Sequence, residues 1–220
     1  MIAILSDIHS NQEALAVALE TLGKGNIKDI YCTGDLVEFP EVANEVIQLL
    51  QQNKVKCIMG NNDVAYLDQL DCSDCAPEED LSSKLPTEEL SIESLYFLEN
   101  LPDFISEDDF YLVHGLPPDS FLKYIDYQSD SALIKAFGSF NQSVAFVGHT
   151  HKFKIYELTV SDEIKKHKLN ETLFNLNPTS RYIINAGSIG FPRDLENEVG
   201  YILNDPESKQ IIRKSLREAE

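Results

Sequence analysis

The chain has 220 residues, of which 43% are hydrophobic and 25% are charged, and its formal net charge is −19. A globular chain of this size buries about 70% of the surface that it exposes when unfolded, which is enough for a substantial core. The excess of acidic residues argues against nucleic acid and anionic membranes as main partners, because binding to phosphates requires clustered Lys and Arg.

The first residues and the cysteines indicate the compartment. The stretch Met1–Asp7 has no basic residue ahead of its short apolar run, so we expect no signal peptide. No stretch approaches the roughly 20 consecutive apolar residues of a membrane span. Cys32, Cys57, Cys72 and Cys75 lack the spacing of a disulfide framework, which predicts a cytoplasmic protein with free thiols. Cys72 and Cys75 have CxxC spacing, but without a second pair we favour an ordinary loop over a redox-active one.

The beginning of the chain alternates between apolar runs of strand length and stretches with helical periodicity. Strand, helix, strand, helix, strand at this spacing predicts right-handed βαβ units and a parallel sheet. The predicted strands are Ile2–Ser6, Asp29–Thr33 and Val55–Met59, and the predicted helices are one that begins at Ser10 and one over Pro40–Gln52.

Residues 68–93 are rich in Asp and Glu and are interrupted by Pro77 and Pro86. This composition predicts a loosely helical acidic excursion over one rim of the sheet. The elements predicted beyond it are a helix over Ile92–Leu101, a strand over Phe110–Val113, a helix over Asp130–Phe140 and a buried strand over Ala145–Val147.

After His151 the pattern changes to short strands that are joined by turns, without comparable helices. We expect a mostly antiparallel sheet that packs on the first sheet, with the helices outside. Because no linker or internal repeat is present, residues 1–220 are predicted to form a single domain of the α/β (α+β) class. The strands in question are Lys154–Leu158, Thr172–Leu176, Tyr182–Asn185, Val199–Asn204 and Gln210–Lys214.

Side chains of the kinds that bind metal ions follow five of the predicted strands. The loops at the carboxyl ends of parallel strands lie together and carry function, so we expect these side chains to converge. Seven oxygen and nitrogen donors are too many for one ion and suit two, which a carboxylate such as Asp35 can bridge. No Cys is among them, so a structural zinc site is not expected. The residues are Asp7, His9, Asp35, Asn61, His114, His149 and His151.

These residues lie in five short motifs, which are Asp7-x-His9, Gly34-Asp35, Gly60-Asn61-x-Asp63, Val113-His114-Gly115 and Gly148-His149-Thr150-His151. In this order the motifs resemble those of the calcineurin-like metallophosphoesterases, in particular the small bacterial phosphodiesterases and the proteins related to diadenosine tetraphosphatases. The later stretch Asn185–Asp194 is similar to a glycine-serine segment of the small bacterial branch. The resemblance implies a four-layer αββα fold, in which a two-sheet β-sandwich is flanked by helices.

The resemblance also implies an enzyme that hydrolyses phosphate esters with two metal ions. By position, the first ion would be held by Asp7, His9, Asp35 and His151, and the second by Asp35, Asn61, His114 and His149. A hydroxide that bridges the two ions would attack phosphorus in line. The mixed nitrogen and oxygen donors admit several metals, of which we expect manganese, with iron, zinc, nickel or magnesium as alternatives.

The chain departs from the family pattern at Asn62. Many members have a histidine there that is thought to protonate the leaving group, oriented by the aspartate that matches Asp63. An amide has no proton of useful acidity, and the loss of general acid catalysis commonly costs about 10²–10⁴-fold in rate. Asn62 and Asp63 therefore leave two functions open: a metal-dependent phosphoesterase, or a catalytically weak binding or scaffold protein of the same fold. We favour the enzyme because every ligand position is filled.

Arg193 is the candidate substrate-binding residue, because a guanidinium can make a bidentate contact with phosphate. A surface ion pair with Asp194 or Glu196 is the alternative for this side chain. As partners we expect a small phosphorylated substrate, no nucleic acid and no membrane. The sequence leaves open whether the chain forms a homo-oligomer.

Overall fold

The computed structural model of the chain describes residues 1–38, 40–67, 90–169, 173–194 and 198–216. Over these residues the chain forms two six-stranded sheets with helices on their outer faces. This arrangement confirms the predicted α/β fold with a two-sheet sandwich. Residues 68–89 of the predicted acidic excursion, with Cys72 and Cys75, lie outside the described residues.

The boundaries of most elements are close to those predicted from the sequence. The strands are β1 (Ile2–Leu5), β2 (Ile30–Cys32), β3 (Lys56–Cys57), β4 (Phe104–Ser106), β5 (Phe110–Val113), β6 (Val144–Val147), β7 (Phe153–Leu158), β8 (Ile164–Lys168), β9 (Leu173–Asn175), β10 (Arg181–Ala186), β11 (Gly200–Asp205) and β12 (Gln210–Ser215). The α-helices are α1 (Gln12–Gly23), α2 (Ala43–Gln52), α3 (Asn61–Tyr66), α4 (Ile92–Glu99) and α5 (Asp130–Phe137), with short 3₁₀ helices over Pro40–Val42 and Ile125–Tyr127. No helix in this part of the chain combines the length and the apolar character that crossing a membrane requires.

Each sheet contains three neighbouring parallel strands. The first sheet has the strand order β3-β2-β1-β11-β12-β9, and the second has the order β4-β5-β6-β10-β7-β8. Strands β1, β2 and β3 are parallel in the first sheet, as are β5, β6 and β10 in the second. Both sheets therefore have parallel strands whose carboxyl ends lead into loops.

The strands do not divide between the sheets in sequence order, so this part of the prediction is wrong. Strands β5 and β6 belong to the second sheet, whereas β11, β12 and β9 return to the first. Strand β11 pairs with β1, because this places Ile202 between the sheets while Tyr201 and Leu203 face the helices. Alternating hydrophobicity indicates that a segment is a strand, but the pairing partner is decided by long-range packing.

Successive residues of a strand point to opposite faces, and this produces the layers. In β1, Ile4 lies between the two sheets, whereas Ala3 and Leu5 pack with the buried residues of α1 and α2. In β6, Phe146 lies between the sheets and Ala145 packs with α5 on the other face. The layers thus follow the expected order of helices, sheet, sheet and helix.

The sequence pattern does not predict α3, β4 and β8. Strand β8 is mostly charged, and its residues take part in a sheet only through pairing with β7. Helix α1 begins after Asn11 and not at Ser10, because the Asn11 side chain accepts a hydrogen bond from the main-chain N–H of Ala14 (3.1 Å). Ser10 adopts a positive φ of 60°, which is incompatible with a helix start.

We predict that Ile4→Ala lowers the free energy of unfolding by about 2–5 kcal/mol. Ile4 is fully buried between the sheets, so truncation removes apolar contacts and leaves a cavity. Urea unfolding of the metal-free protein measures the change. Val17→Ala on α1, at a side chain that is 51% exposed, is the control and is expected to stay within about 0.5 kcal/mol of the parent. Equal losses in the two variants would contradict the position of Ile4.

Candidate metal centre

Seven polar side chains meet at one end of the sandwich, where loops follow the carboxyl ends of parallel strands. They are Asp7 and His9 after β1, Asp35 after β2, Asn61 at the start of α3, His114 after β5, and His149 and His151 after β6. All seven are buried, although each is polar or ionisable. The structure brings together every residue that the sequence analysis predicts as a metal ligand.

The side chains form two overlapping groups that could each hold a metal ion. One group consists of Asp7, His9, Asp35 and His151, and the other consists of Asp35, His114 and His149, with the ligand atoms of each group within 4.8 Å of one another. Nε2 of His9 and Nε2 of His114 lie 3.6 and 3.4 Å from the same atom, Oδ2 of Asp35. The Asp35 carboxylate therefore belongs to both groups.

Asn61 lies beside the second group. Its Oδ1 atom is 3.0 Å from Nε2 of His114, and its buried Nδ2 atom has no hydrogen-bond partner among the described residues. The amide oxygen can therefore act as a further ligand next to Asp35.

Backbone strain is concentrated at the same residues. The φ angles are 48° at Asp7, 45° at His9, 53° at Asp35, 67° at His149 and 57° at His151. The left-handed region costs a non-glycine residue on the order of 1–3 kcal/mol, and it persists only where the surrounding structure imposes it. The loops therefore store strain in order to turn these side chains inward.

Main-chain carbonyls orient three of the four histidines. The bonds run from Nδ1 of His114 to Thr33 O (2.8 Å), from Nδ1 of His151 to Phe191 O (2.5 Å) and from Nε2 of His149 to Leu122 O (3.2 Å). In a neutral imidazole, the ring nitrogen that does not donate carries a lone pair. In its neutral form, each of these rings therefore presents a lone pair to the cluster, and this is the form that a metal ion binds.

The cluster contains close contacts between acceptor atoms. Nε2 of His9 and Nε2 of His151 are 3.1 Å apart, and Nε2 of His151 is 3.2 Å from Oδ1 of Asp7. Only a proton or a cation between such atoms removes their repulsion, and buried carboxylates without counter-charge cost several kcal/mol each. Carboxylate, amide and imidazole donors suit divalent cations. The residues present therefore fit metal ions.

The charges of the cluster shift the pKa values of its members. Burial by itself lowers the pKa of His114, but the negative charge of Asp35 outweighs burial and raises this pKa to about 9. Burial likewise lowers the pKa of His9, but the carboxylates of Asp7 and Glu38 raise it to about 10. Burial raises the pKa of Asp35, but His114 keeps it below its usual range. Without metal, these charges favour the protonated forms of His9 and His114, and a bound cation would displace those protons.

Asp7 is held in place by hydrogen bonds that the ligand motifs do not predict. The Ser6 hydroxyl donates to Oδ2 of Asp7, and the main-chain N–H of His149 lies 3.0 and 3.1 Å from the two carboxylate oxygens. The Ser188 hydroxyl donates to the main-chain carbonyl of Asp7 (2.8 Å). Ser188 belongs to the glycine-serine segment, so its sequence context is the signal that could have found it.

Asn62 and Asp63 both serve the loops around the cluster. Asn62 donates to Asp35 twice, from its main-chain N–H to Oδ1 (2.8 Å) and from Nδ2 to Oδ2 (2.9 Å). Asp63 accepts main-chain N–H bonds from Leu36 (2.8 Å), Val37 (3.2 Å) and Gly60 (2.9 Å). Burial and the nearby charge of Asp35 raise the pKa of Asp63 to about 7. Asp63 thereby ties the loops after β2 and β3 together, and its catalytic role stays a prediction.

Arg193 adjoins the first group through its main chain. Its N–H donates to the main-chain carbonyl of His151 (3.0 Å), and its side chain is exposed. Of the alternative ion-pair partners, Asp194 lies 3.6 Å from Nη2 of Arg213, and Glu196 lies outside the described residues. A contact between Arg193 and substrate stays a prediction.

The loop between β5 and α5 covers His149. In addition to the bond that Nε2 of His149 donates to the carbonyl of Leu122, the ring of Tyr124 lies tilted against the imidazole of His149, with their centroids 3.8 Å apart. Tyr124 is 9% exposed, so this contact shields one face of a predicted ligand from water. The loop has no periodicity, which is why the sequence does not assign Leu122 to the site.

Comparisons with known proteins agree with this geometry. Residues 1–209 match the calcineurin-like phosphoesterase superfamily domain. An uncharacterized protein of Methanocaldococcus jannaschii is 30% identical over 219 residues, which cover 96% of this chain and 85% of that protein. A metallophosphoesterase from Sphaerobacter thermophilus has a TM-score of 0.78 at 27% identity, over 98% of this chain and 88% of that chain. A hypothetical protein from Pyrococcus horikoshii OT3 has the same fold, with a TM-score of 0.72 at 20% identity, over 100% of this chain and 88% of that chain.

We predict that Gly60→Ala disrupts the metal centre. A Cβ atom at residue 60 would lie 2.2 Å from both the main-chain nitrogen and Oδ1 of Asp35, so Asp35 has to move. Calorimetric titration of the metal-stripped variant with Mn²⁺ is expected to show an affinity at least about 10-fold below that of the parent. Gly23→Ala, where a Cβ meets no atom within 4 Å, is the matched control. Parent-like affinity in Gly60→Ala would refute the prediction.

Proposed function

The chain belongs to the calcineurin-like phosphoesterase superfamily, and we propose that it hydrolyses a phosphomonoester or phosphodiester of a small molecule with two metal ions. The family is metal-dependent, and the buried Asp and His groups are able to hold metal ions. The observation that carries the proposal is the position of Oδ2 of Asp35, within 3.6 Å of His9 and 3.4 Å of His114. A carboxylate shared in this way keeps two cations close together and partly neutralised.

The protein's contribution to catalysis is a site that is organised before the substrate arrives. When bound, the two ions would supply an activated water and neutralise charge that develops on the phosphoryl oxygens. The Ser6 hydroxyl and the main-chain N–H of His149 hold the Asp7 carboxylate, and main-chain carbonyls hold the rings of His114 and His151. Because these bonds already fix the ligands, little reorganisation is needed during the reaction.

The donor set narrows the choice of metal without deciding it. Carboxylate and amide oxygens favour hard cations, whereas imidazole nitrogens also suit zinc, iron and nickel. We propose manganese as the physiological ion, because it accepts oxygen and nitrogen ligands together, and we keep iron, zinc, nickel and magnesium as alternatives.

The net charge of −19 supports a small substrate over a nucleic acid, because a polyanion is repelled by an acidic surface. Arg193, whose main chain binds the carbonyl of His151, is the residue proposed to contact the substrate phosphate.

The single domain over residues 1–220 and the cytoplasmic location stay predictions, and the oligomeric state stays open.

Asn62 supports a second candidate function, that of a catalytically weak binding or scaffold protein. Its side chain donates to Asp35, and an amide cannot protonate a leaving group. A metal centre could then persist with little hydrolysis. We prefer the enzyme because all predicted ligands are present and buried together, and such a cluster is costly to maintain without a metal ion.

The direct test of the proposal is hydrolysis of 4-nitrophenyl phosphate and bis(4-nitrophenyl) phosphate with added Mn²⁺. We expect metal-dependent release of nitrophenol that a chelator abolishes. Asp35→Asn is expected to lower the rate by on the order of 10²-fold or more, since a neutral amide cannot hold two cations together. The ratio of monoester to diester rates narrows the substrate class.

Asp103→Asn provides the matched control, because it makes the same change at an exposed residue of the loop before β4. This variant is expected to hydrolyse both esters at the parent rate. An absence of metal-dependent hydrolysis in the parent would favour the scaffold, and equal losses in the two variants would contradict the role of Asp35.

We predict that Asn62→His speeds the hydrolysis of phosphate esters with poor leaving groups. A histidine restores a proton donor, and general acid catalysis contributes about 10²-fold or more where the leaving group is an alkoxide. The measurement compares an alkyl with a nitrophenyl phosphodiester in parent and variant. Because both substrates use the same metal centre, the ratio of their rates cancels any change in metal binding. An unchanged ratio would refute the prediction.

A further inference from the structure

One of the four site histidines, His9, contacts a carboxylate where the other three bind a main-chain carbonyl. His114, His149 and His151 each donate a ring N–H to a main-chain carbonyl. The Nδ1 atom of His9 instead lies 3.1 Å from Oε2 of Glu38, a side-chain carboxylate. A carboxylate accepts a hydrogen bond more strongly than a carbonyl and carries a full charge.

Nδ1 of His9 and Oε2 of Glu38 face each other and have no other polar partner among the described residues. Nδ1 of His9 and Oε2 of Glu38 are both buried, and neither makes an aligned hydrogen bond with any described group, so their approach to 3.1 Å is an ion-pair contact between two otherwise unpaired atoms. The side chain of His9 is 4% exposed and that of Glu38 is 34% exposed. Glu38 thus reaches from the rim of the centre to the back of one ligand ring.

The main chain fixes Glu38 relative to His9. The N–H of Glu38 donates to the hydroxyl of Ser10 (2.9 Å), and the N–H of Ser10 donates to the carbonyl of Leu36 (3.0 Å). The N–H of His9 donates to the carbonyl of Asp35 (2.9 Å). These hydrogen bonds connect the loop after β1 to the loop after β2. Glu38 is therefore held beside the imidazole of His9 by several independent bonds.

From these contacts we propose that Glu38 is a positioning residue for His9 and raises the affinity of the group Asp7, His9, Asp35 and His151 for its metal ion. This inference rests on the proposed two-metal function. The carboxylate holds the proton of His9 on Nδ1, directs the lone pair of Nε2 at Asp7 and Asp35, and makes that nitrogen a stronger donor. Residues that hold a metal ligand in this way typically contribute 10–100-fold to the metal affinity.

The experiment is calorimetric titration of metal-stripped parent, Glu38→Gln and Glu41→Gln with Mn²⁺. Glu38→Gln keeps the shape of the side chain and removes its charge. Glu41→Gln makes the same change at an exposed residue three positions later and controls for net charge. We expect Glu38→Gln to weaken one of two Mn²⁺ sites by about 10-fold or more. The other site in Glu38→Gln and both sites in Glu41→Gln are expected to match the parent.

Electron paramagnetic resonance gives a second readout that does not depend on activity. At Mn²⁺ concentrations that fill both sites of the parent, the parent should show the spectrum of two coupled ions. Glu38→Gln should show that of an isolated ion at the same concentration. Thermal unfolding of the metal-free proteins separates positioning from folding, since metal-free Glu38→Gln is expected to unfold in one cooperative transition, with its Tm lowered only by the loss of the ion pair with protonated His9.

Three results would overturn the inference while leaving the proposed function intact. These are parent-like affinity at both sites of Glu38→Gln, equal weakening in Glu41→Gln, and the loss of cooperative unfolding in metal-free Glu38→Gln. If the parent itself bound no Mn²⁺, the proposed function would fail and this inference would fail with it.

Discussion

The carboxylate of Asp35 is almost fully buried at the point where loops from both sheets meet. Its oxygens accept two hydrogen bonds from Asn62 and face the rings of His9 and His114. Space around it is so restricted that a Cβ on Gly60 would collide with it. Because a buried carboxylate is stable only with donors or cations on every side, the surrounding loops are built to supply them.

The sandwich supplies the rigidity that this arrangement needs. Strained φ angles at five of the predicted ligands are maintained because the loops are bonded to each other across the sheets. The His149 N–H reaches Asp7, and Nδ1 of His114 reaches the carbonyl of Thr33. Strain of this kind survives only where the structure over-determines it, so the core between the sheets indirectly stabilises the metal centre.

The residues next to the predicted ligands hold the ligand loops in place. Asn62 donates to the carboxylate of Asp35, and Asp63 accepts hydrogen bonds from the main chain of two loops. Glu38 provides an additional carboxylate behind His9. The supporting contacts of the predicted ligands are therefore independent of the group that would protonate a leaving group, which is why both an enzyme and a weak catalyst are compatible with the same geometry.

Local sequence patterns are enough to predict the strands that lead to the site and the seven side chains that meet there. These are local properties, since an apolar run such as β6 and the motif that follows it can be recognised without knowing their neighbours. No local pattern predicts which sheet β11 joins, that Asp63 accepts hydrogen bonds from loop amides, or that Glu38 lies against His9. These features depend on contacts between residues that are far apart in the chain. The contact between Asp35 and Asn62, for example, joins residues that are 27 positions apart. Periodicity describes which face of an element is buried, but it carries no information about the partner on the other side.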